Sequence, residues 1–152
     1  MMLDKKSLKI LRILQEKARI PNTEVSRLVG LAPSAVLERI RKMEGQGIID
    51  GYEVRLNPER FSRNQVAFIQ VFCNCLEDEN NAVGDSLAAI EEIQEVHFLA
   101  GEDSYLVKLR VADTAELNDM LRNKIMTLKG VISTKTSPVL ETYKETARIP
   151  IR

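Results

Sequence analysis

The chain of 152 residues has a single histidine, two cysteines and no net charge at neutral pH. Each scarcity closes off a class of function. A structural zinc site normally takes four ligands at recognisable spacing, so His97 with Cys73 and Cys75 falls short. These three read instead as a strand histidine beside two small thiols. The cysteines lie two apart in a predicted strand and share one face, so no disulfide framework is expected, and a reduced, cytoplasmic setting fits. No apolar run approaches the roughly 18 residues that cross a bilayer, and a membrane partner is not expected. The N-terminal MMLDKKSLKIL carries spaced charges where a signal peptide keeps a continuous apolar core. A glycine-rich phosphate loop, a nucleophile–base pairing and paired carboxylates in a plausible cleft are also lacking. The chain therefore reads as a non-enzyme without a cofactor.

What is present is 44% hydrophobic and 29% charged, an ordinary globular composition. The neutral total hides an asymmetry. Residues 1–60 hold 12 Lys/Arg against 8 Asp/Glu, net +4, while residues 61–152 hold 10 against 14, net −4. A basic first part joined to an acidic second part suits a protein in which only the first approaches an anionic polymer.

Asp4 is a plausible N-cap for a helix to about Glu16, with Leu8, Leu11 and Leu14 on one stripe. A short second helix from about Asn22 to Val29 buries Val25, Leu28 and Val29, and Gly30 suits the left-handed position after it. Pro33 suits the first turn of a third helix, where its missing N–H would have no partner anyway. Val36, Ile40 and Met43 form that helix's buried stripe, and Gly45 and Gly47 end it. IIDGYEV then reads as two short strands around Asp50-Gly51. Three helices and a hairpin describe a winged helix-turn-helix domain over 1–56. Residues 57–64 (NPERFSRN) are the linker, opened by Asn-Pro.

From 65 to 152 the periodicity alternates: strand 65–76, helix 80–91 (Val83, Leu87 and Ile90 inward), strands 94–100 and 104–111, helix 114–128 (Leu117, Leu121, Ile125 and Leu128 inward), strand 131–143. The order βαββαβ is ferredoxin-like, so the fold class is α+β with both second-domain helices on one sheet face. The other face is left open. In the first strand Ala67, Ile69, Val71, Cys73 and Cys75 alternate with Val66, Phe68, Gln70 and Phe72, and both sets are largely apolar. At roughly 25 cal/mol per Å2, wetting Phe68 and Phe72 forgoes several kcal/mol. Val66, Phe68 and Phe72 are therefore expected to meet a second copy of the sheet in a homodimer.

On the third helix the outward positions are Ser34, Glu38, Arg41 and Lys42, with Pro33 at its start and Arg39 on the flank. The third element of a helix-turn-helix enters the major groove with its N-terminal residues at base edges. Ser34, Glu38 and Arg41 would face the groove floor, where Glu accepts from cytosine N4 and Arg pairs with guanine O6 and N7. Lys42 and Arg39 are placed for phosphates, which add affinity without sequence information.

The stretches LDKKSLKILRILQEKARIPNTEVSRLVGLAPSAVLERIRKMEGQGIIDGYEVRLNPERF, AGEDSYLVKLRVAD and LKGVISTKTSPVLE resemble the feast/famine (Lrp/AsnC) family of prokaryotic transcription regulators over nearly the whole chain. The resemblance implies a double-stranded promoter DNA partner and dimers that assemble further, often to octamers. It also implies, in some members, an amino-acid effector near the turn between the middle two strands. Here that places Gly101, Glu102, Asp103, Ser104 and Tyr105 as effector-binding residues. Thr134 and Thr136 on the last strand are positioned to line the same pocket.

Two departures from the family pattern are visible. Ala32 stands where a Ser or Thr usually caps the third helix, costing about 1 kcal/mol of capping. Ser104 stands where amino-acid-binding members carry an acid for the ligand's ammonium group. Either Asp103 or Glu102 substitutes, or the ligand differs, or none binds. Tyr105 alternates with Val107, Leu109 and Val111 and reads as core-edge. Rival readings are a nucleoid-organising protein that wraps DNA through phosphates, and an enzyme like the siroheme decarboxylases, which look like this family in both domains. The single histidine speaks against the latter.

Overall fold

The computed structural model describes residues 3–74 and 82–151, and within them the chain forms two compact units. One comprises Met1–Arg55 with Lys144–Arg152, the other Leu56–Tyr143. The C-terminal nine residues therefore leave the second domain expected for them and join the helical unit.

In the helical unit, α1 (Lys5–Glu16) starts where Asp4 accepts a hydrogen bond from the Ser7 amide at 2.7 Å. Lys17 to Ile20 interrupt it. The short α2 (Asn22–Val29) ends on Gly30, which adopts φ 66°, ψ 54°, a left-handed conformation open to glycine at little cost. The Lys6 ammonium also binds the Val29 carbonyl, one of the orphan acceptors at the end of α2. Pro33 opens α3 (Pro33–Gly45), and Ala32 before it gives no side-chain cap. Ile10, Val25, Val29, Val36, Ile40 and Met43 form the core, with Leu3, Leu11, Ile13, Leu14, Ile20, Leu31 and Ile49 around them.

Two core assignments differ from the periodic reading. Ile10 takes the fully buried place on α1, and Leu28 is 49% exposed. A helix packed against two neighbours buries a stripe whose centre those neighbours choose, and the leucine repeat alone does not locate it.

The hairpin expected around Asp50-Gly51 does not form: no strand is present among residues 46–57. Two strands alone are marginal in water, and Tyr52 turns back instead, donating to Glu44 Oε1 on α3 at 2.9 Å. Partial burial and the Glu44 carboxylate push the Tyr52 hydroxyl pKa up to about 12. The C-terminal segment lies on α1. Arg12 donates to the Ile151 carbonyl at 3.1 Å, and Gln15 exchanges two hydrogen bonds with the Ile149 backbone at 2.8 and 3.1 Å.

The second unit opens with a 3-10 turn, Pro58–Phe61, capped by Asn57. It then runs β1 (Gln65–Cys73), α4 (Ala82–Ala88), β2 (Ile93–Leu99), β3 (Ser104–Val111), α5 (Thr114–Asp119) and β4 (Val131–Pro138). Residues 80–81 of the expected first helix, and Cys75, lie outside the described residues. The second helix passes at Met120–Ile125 into a π-helical segment, which buries Met120 and Ile125 together. The last strand stops at Pro138, not 143.

The sheet order is β2-β3-β1-β4, antiparallel throughout. Ala67, Ile69, Val71 and Cys73 of β1 join Tyr105, Val107, Leu109 and Val111 of β3. With Val83 and Leu87 of α4 and Leu117 of α5 they form one core, so both helices cover one face. Each large side chain buried there contributes about 1.5–3 kcal/mol. On the other face Phe68, Gln70 and Phe72 remain partly exposed.

Candidate functional site: the third helix and the strand-turn loop

The two candidate sites lie in different units. On α3, burial alternates as a groove-reading helix requires: Val36, Ile40 and Met43 are buried, while Pro33, Ser34, Glu38, Arg41 and Lys42 are exposed. Ser34, Glu38 and Arg41 recur at i, i+4 and i+7 and therefore share one stripe.

Arg39 departs from the expectation. Its Nη1 lies 2.6 Å from Asp4 Oδ2 and donates to Ser7 Oγ at 3.0 Å, so its guanidinium holds α1 and is not held out for phosphate. The Ser7 amide and then Arg39 draw the Asp4 pKa down from its ordinary 3.8 to about 2.

The loop expected to bind an effector joins β2 to β3, with Gly101 at φ 90°. Ser104 is completely buried. Gln70 Nε2 donates to Ser104 Oγ at 3.1 Å and to Glu102 Oε2 at 2.6 Å, so the serine is sealed and the loop's carboxylate at this spot is Glu102. The Asp103 carbonyl accepts the Cys73 amide at 2.9 Å, tying the loop to the end of β1. Tyr105 is 4% exposed and packs its ring on Phe98, centroids 5.0 Å apart.

Register decides which expected residues meet. Phe72 pairs with Ser104, and Val71 with Tyr105 and, across β1, with Thr134; Ile69 pairs with Thr136. Directly paired residues point to the same side. Thr134 and Thr136 therefore lie on the helix-covered side and Ser104 on the open one, so the threonines do not line one pocket with Ser104.

Of the open-face residues, Val66 is already buried, 7% exposed, within its own chain. Leu106, paired with Gln70, and Leu99, on the far side of Ser104 from Phe72, are also partly exposed on this face, and strand periodicity in β1 alone does not flag them. His97 sits on this face 3.3 Å from Glu95, which is also paired with Lys108 at 2.9 Å, and the hydrogen bond from the Lys108 ammonium holds the Glu95 pKa low.

A second cleft, of about 240 Å3, is lined by Arg63, Glu91, Glu92, Gln94 and Arg110. Arg110 is six residues along β3 from Ser104, roughly 20 Å at strand rise, so this cleft is separate from the loop. Glu92 there binds Lys124 at 2.6 Å, which keeps its pKa low. Among the described residues no cluster of three His, Cys, Asp or Glu side chains is placed to hold a metal. No helix among them is long and apolar enough to cross a membrane.

The chain matches two family descriptions: the AsnC-type helix-turn-helix domain over residues 3–44 and the Lrp/AsnC ligand binding domain over residues 66–149. It is 37% identical to the leucine-responsive regulatory protein of Escherichia coli over 155 residues, covering 99% of this chain and 92% of that one. A transcriptional regulator of Neisseria meningitidis in complex with L-methionine superposes with a TM-score of 0.92 at 32% identity, over 98% of this chain and 97% of that chain. The feast or famine regulatory protein of M. tuberculosis complexed with L-methionine gives 0.89 at 30% identity, over 99% and 100%. These matches span both units and follow the order of elements described above, and the chain belongs to the Lrp/AsnC family of transcription regulators.

Proposed function

We propose that the chain reads promoter DNA through Ser34, Glu38 and Arg41 of α3, with Lys42 and the Pro33 turn at the backbone, and that an amino acid modulates it. The observation that carries this is the exposed stripe on a helix whose opposite face is the core of its unit. In a dimer two such helices meet half-sites one helical turn apart or a multiple of that. The dimer forms through the open sheet face, where Phe68, Phe72, Leu99 and Leu106 are only partly covered. Larger assemblies build on that dimer, up to an octamer.

The effector reading draws on the two relatives solved with L-methionine. In this chain Glu102 replaces the acid missing at Ser104, because its carboxylate lies on the open side beside Gln70. Gly101 and Asp103 shape the turn, and Tyr105 braces it from the covered side. A ligand bound better in one assembly than in another would shift the population toward it. The protein works in the cytoplasm and is not a catalyst, in keeping with relatives that are regulators.

The test is Arg41→Glu. Binding to a double-stranded site selected from a random library should fall by about a hundredfold or more, since a bidentate arginine–guanine pair discriminates by about 1–3 kcal/mol and the new carboxylate adds repulsion. Circular dichroism and sedimentation should be unchanged. Wild-type affinity with wild-type salt dependence refutes the assignment of α3.

A further inference from the structure

We propose that Arg39 is a positioning residue of the DNA-reading helix, acting through Asp4 and contacting no phosphate itself. The proposal rests on the reading of α3 just given. Two residues apart on an α-helix are about 200° apart around its axis. With Arg41 turned to the groove, Arg39 faces back toward α1. There its Nη1 meets Asp4 Oδ2 at 2.6 Å and Ser7 Oγ at 3.0 Å. Asp4 uses its other oxygen to cap α1 through the Ser7 amide at 2.7 Å, and Ser7 is 6% exposed. The carboxylate is thus fixed by its own helix before it holds the arginine.

One turn of α1 therefore grips both following helices. Asp4 and Ser7 hold α3 through Arg39, and Lys6 holds the end of α2 through the Val29 carbonyl. Apolar side chains in a small helical core leave some freedom of helix rotation and sliding. A directional ion pair at one flank removes part of it, so the Ser34–Glu38–Arg41 stripe meets the groove at one angle. Neutralising Asp4 also keeps a bare carboxylate away from a surface that approaches phosphate.

The experiment compares Asp4→Asn, Arg39→Gln and the double variant with wild type on a double-stranded site selected from a random library, at several salt concentrations. Asparagine still caps a helix, so Asp4→Asn removes the ion pair and keeps α1. Each single change should weaken binding about two- to fivefold, the range that an exposed ion pair supplies. The double variant should be no weaker than either, and the slope of log affinity against log salt should stay at the wild-type value.

Thermal unfolding of each variant confirms that the fold is intact. If Asp4→Asn fails to fold, Asp4→Ser, which also caps a helix and removes the carboxylate, takes its place with the same expected loss and unchanged slope. A phosphate contact would give the opposite pattern. Arg39→Gln would then lower the slope by about one, and Asp4→Asn, by releasing the arginine, would tighten binding. That pattern overturns the proposal, as do unchanged affinities or additive losses. A wild-type protein that binds no selected site overturns the α3 reading and this proposal together.

Discussion

Gly84→Ala tests how α4 seats against Tyr105 at the start of β3. A Cβ on Gly84 would stand 2.9 Å from Tyr105 Cε1 and 3.2 Å from both Cζ and the hydroxyl oxygen. Carbon atoms in contact prefer about 3.5–4.0 Å, so the ring or the helix must move. The ring has little room: Tyr105 is 4% exposed and leans on Phe98. Phe98 is itself 57% exposed and can yield, which keeps the strain near the middle of the overpacking range, about 2 kcal/mol. Overpacking costs about 1–3 kcal/mol, and alanine's helix preference over glycine returns up to about 1, leaving a net loss of about 1 kcal/mol.

With a urea dependence of about 2 kcal/mol per M, the unfolding midpoint of this unit should fall by about 0.5 M at unchanged slope. In a Tyr105→Leu background the clash is gone, and the same substitution should leave the midpoint unchanged or raise it. A rise in the wild-type background, or an equal fall in both, refutes the packing described between α4 and β3.

Three further outcomes follow from the same structure. The Asp4 pKa is depressed from 3.8 to about 2, so its contribution to the helical unit is complete above about pH 4 and lost as pH falls toward 2. Thermal midpoints measured down that range should drop more steeply in the wild type than in Asp4→Asn, and parallel curves would contradict the assignment. Ser104→Asp puts a carboxylate at a fully buried position beside Glu102 and should cost about 2–5 kcal/mol by urea unfolding. A tolerated aspartate that improves amino-acid binding in calorimetry would show that Ser104 is not sealed. Phe72→Glu places a charge on the open sheet face, and sedimentation should show monomers of unchanged helicity; intact oligomers would move the interface elsewhere.

Much of the architecture was legible because its signals are local. Asp4, Gly30 and Pro33 mark helix ends through hydrogen-bonding and dihedral constraints that act within a turn or two, and all three fill those places. The buried stripe Val36–Ile40–Met43 and the alternation along β1 follow from helix and strand period. The βαββαβ order allowed few topologies. Signals that depend on a partner elsewhere were misread. Asp50-Gly51 has the chemistry of a hairpin turn, but strands need neighbours, and Tyr52 found Glu44 instead. Leu28 fits the helical repeat of α2 and still faces outward, since what it would pack against lies in other helices.

By itself, the sequence determined the two kinds of unit, the helix carrying the exposed Ser34–Glu38–Arg41 stripe and the loop at residues 101–105. Residue period, caps and turn residues act over a few positions and need no distant contact. Only the tertiary structure decided that Arg39 is held by Asp4, 35 positions away, and that Ser104 is sealed by Gln70. It also decided that Thr134 and Thr136 face the covered side and that residues 144–152 lie with the helices. Strand register and ion pairs between remote residues arise only when the whole chain packs, so no local pattern announces them.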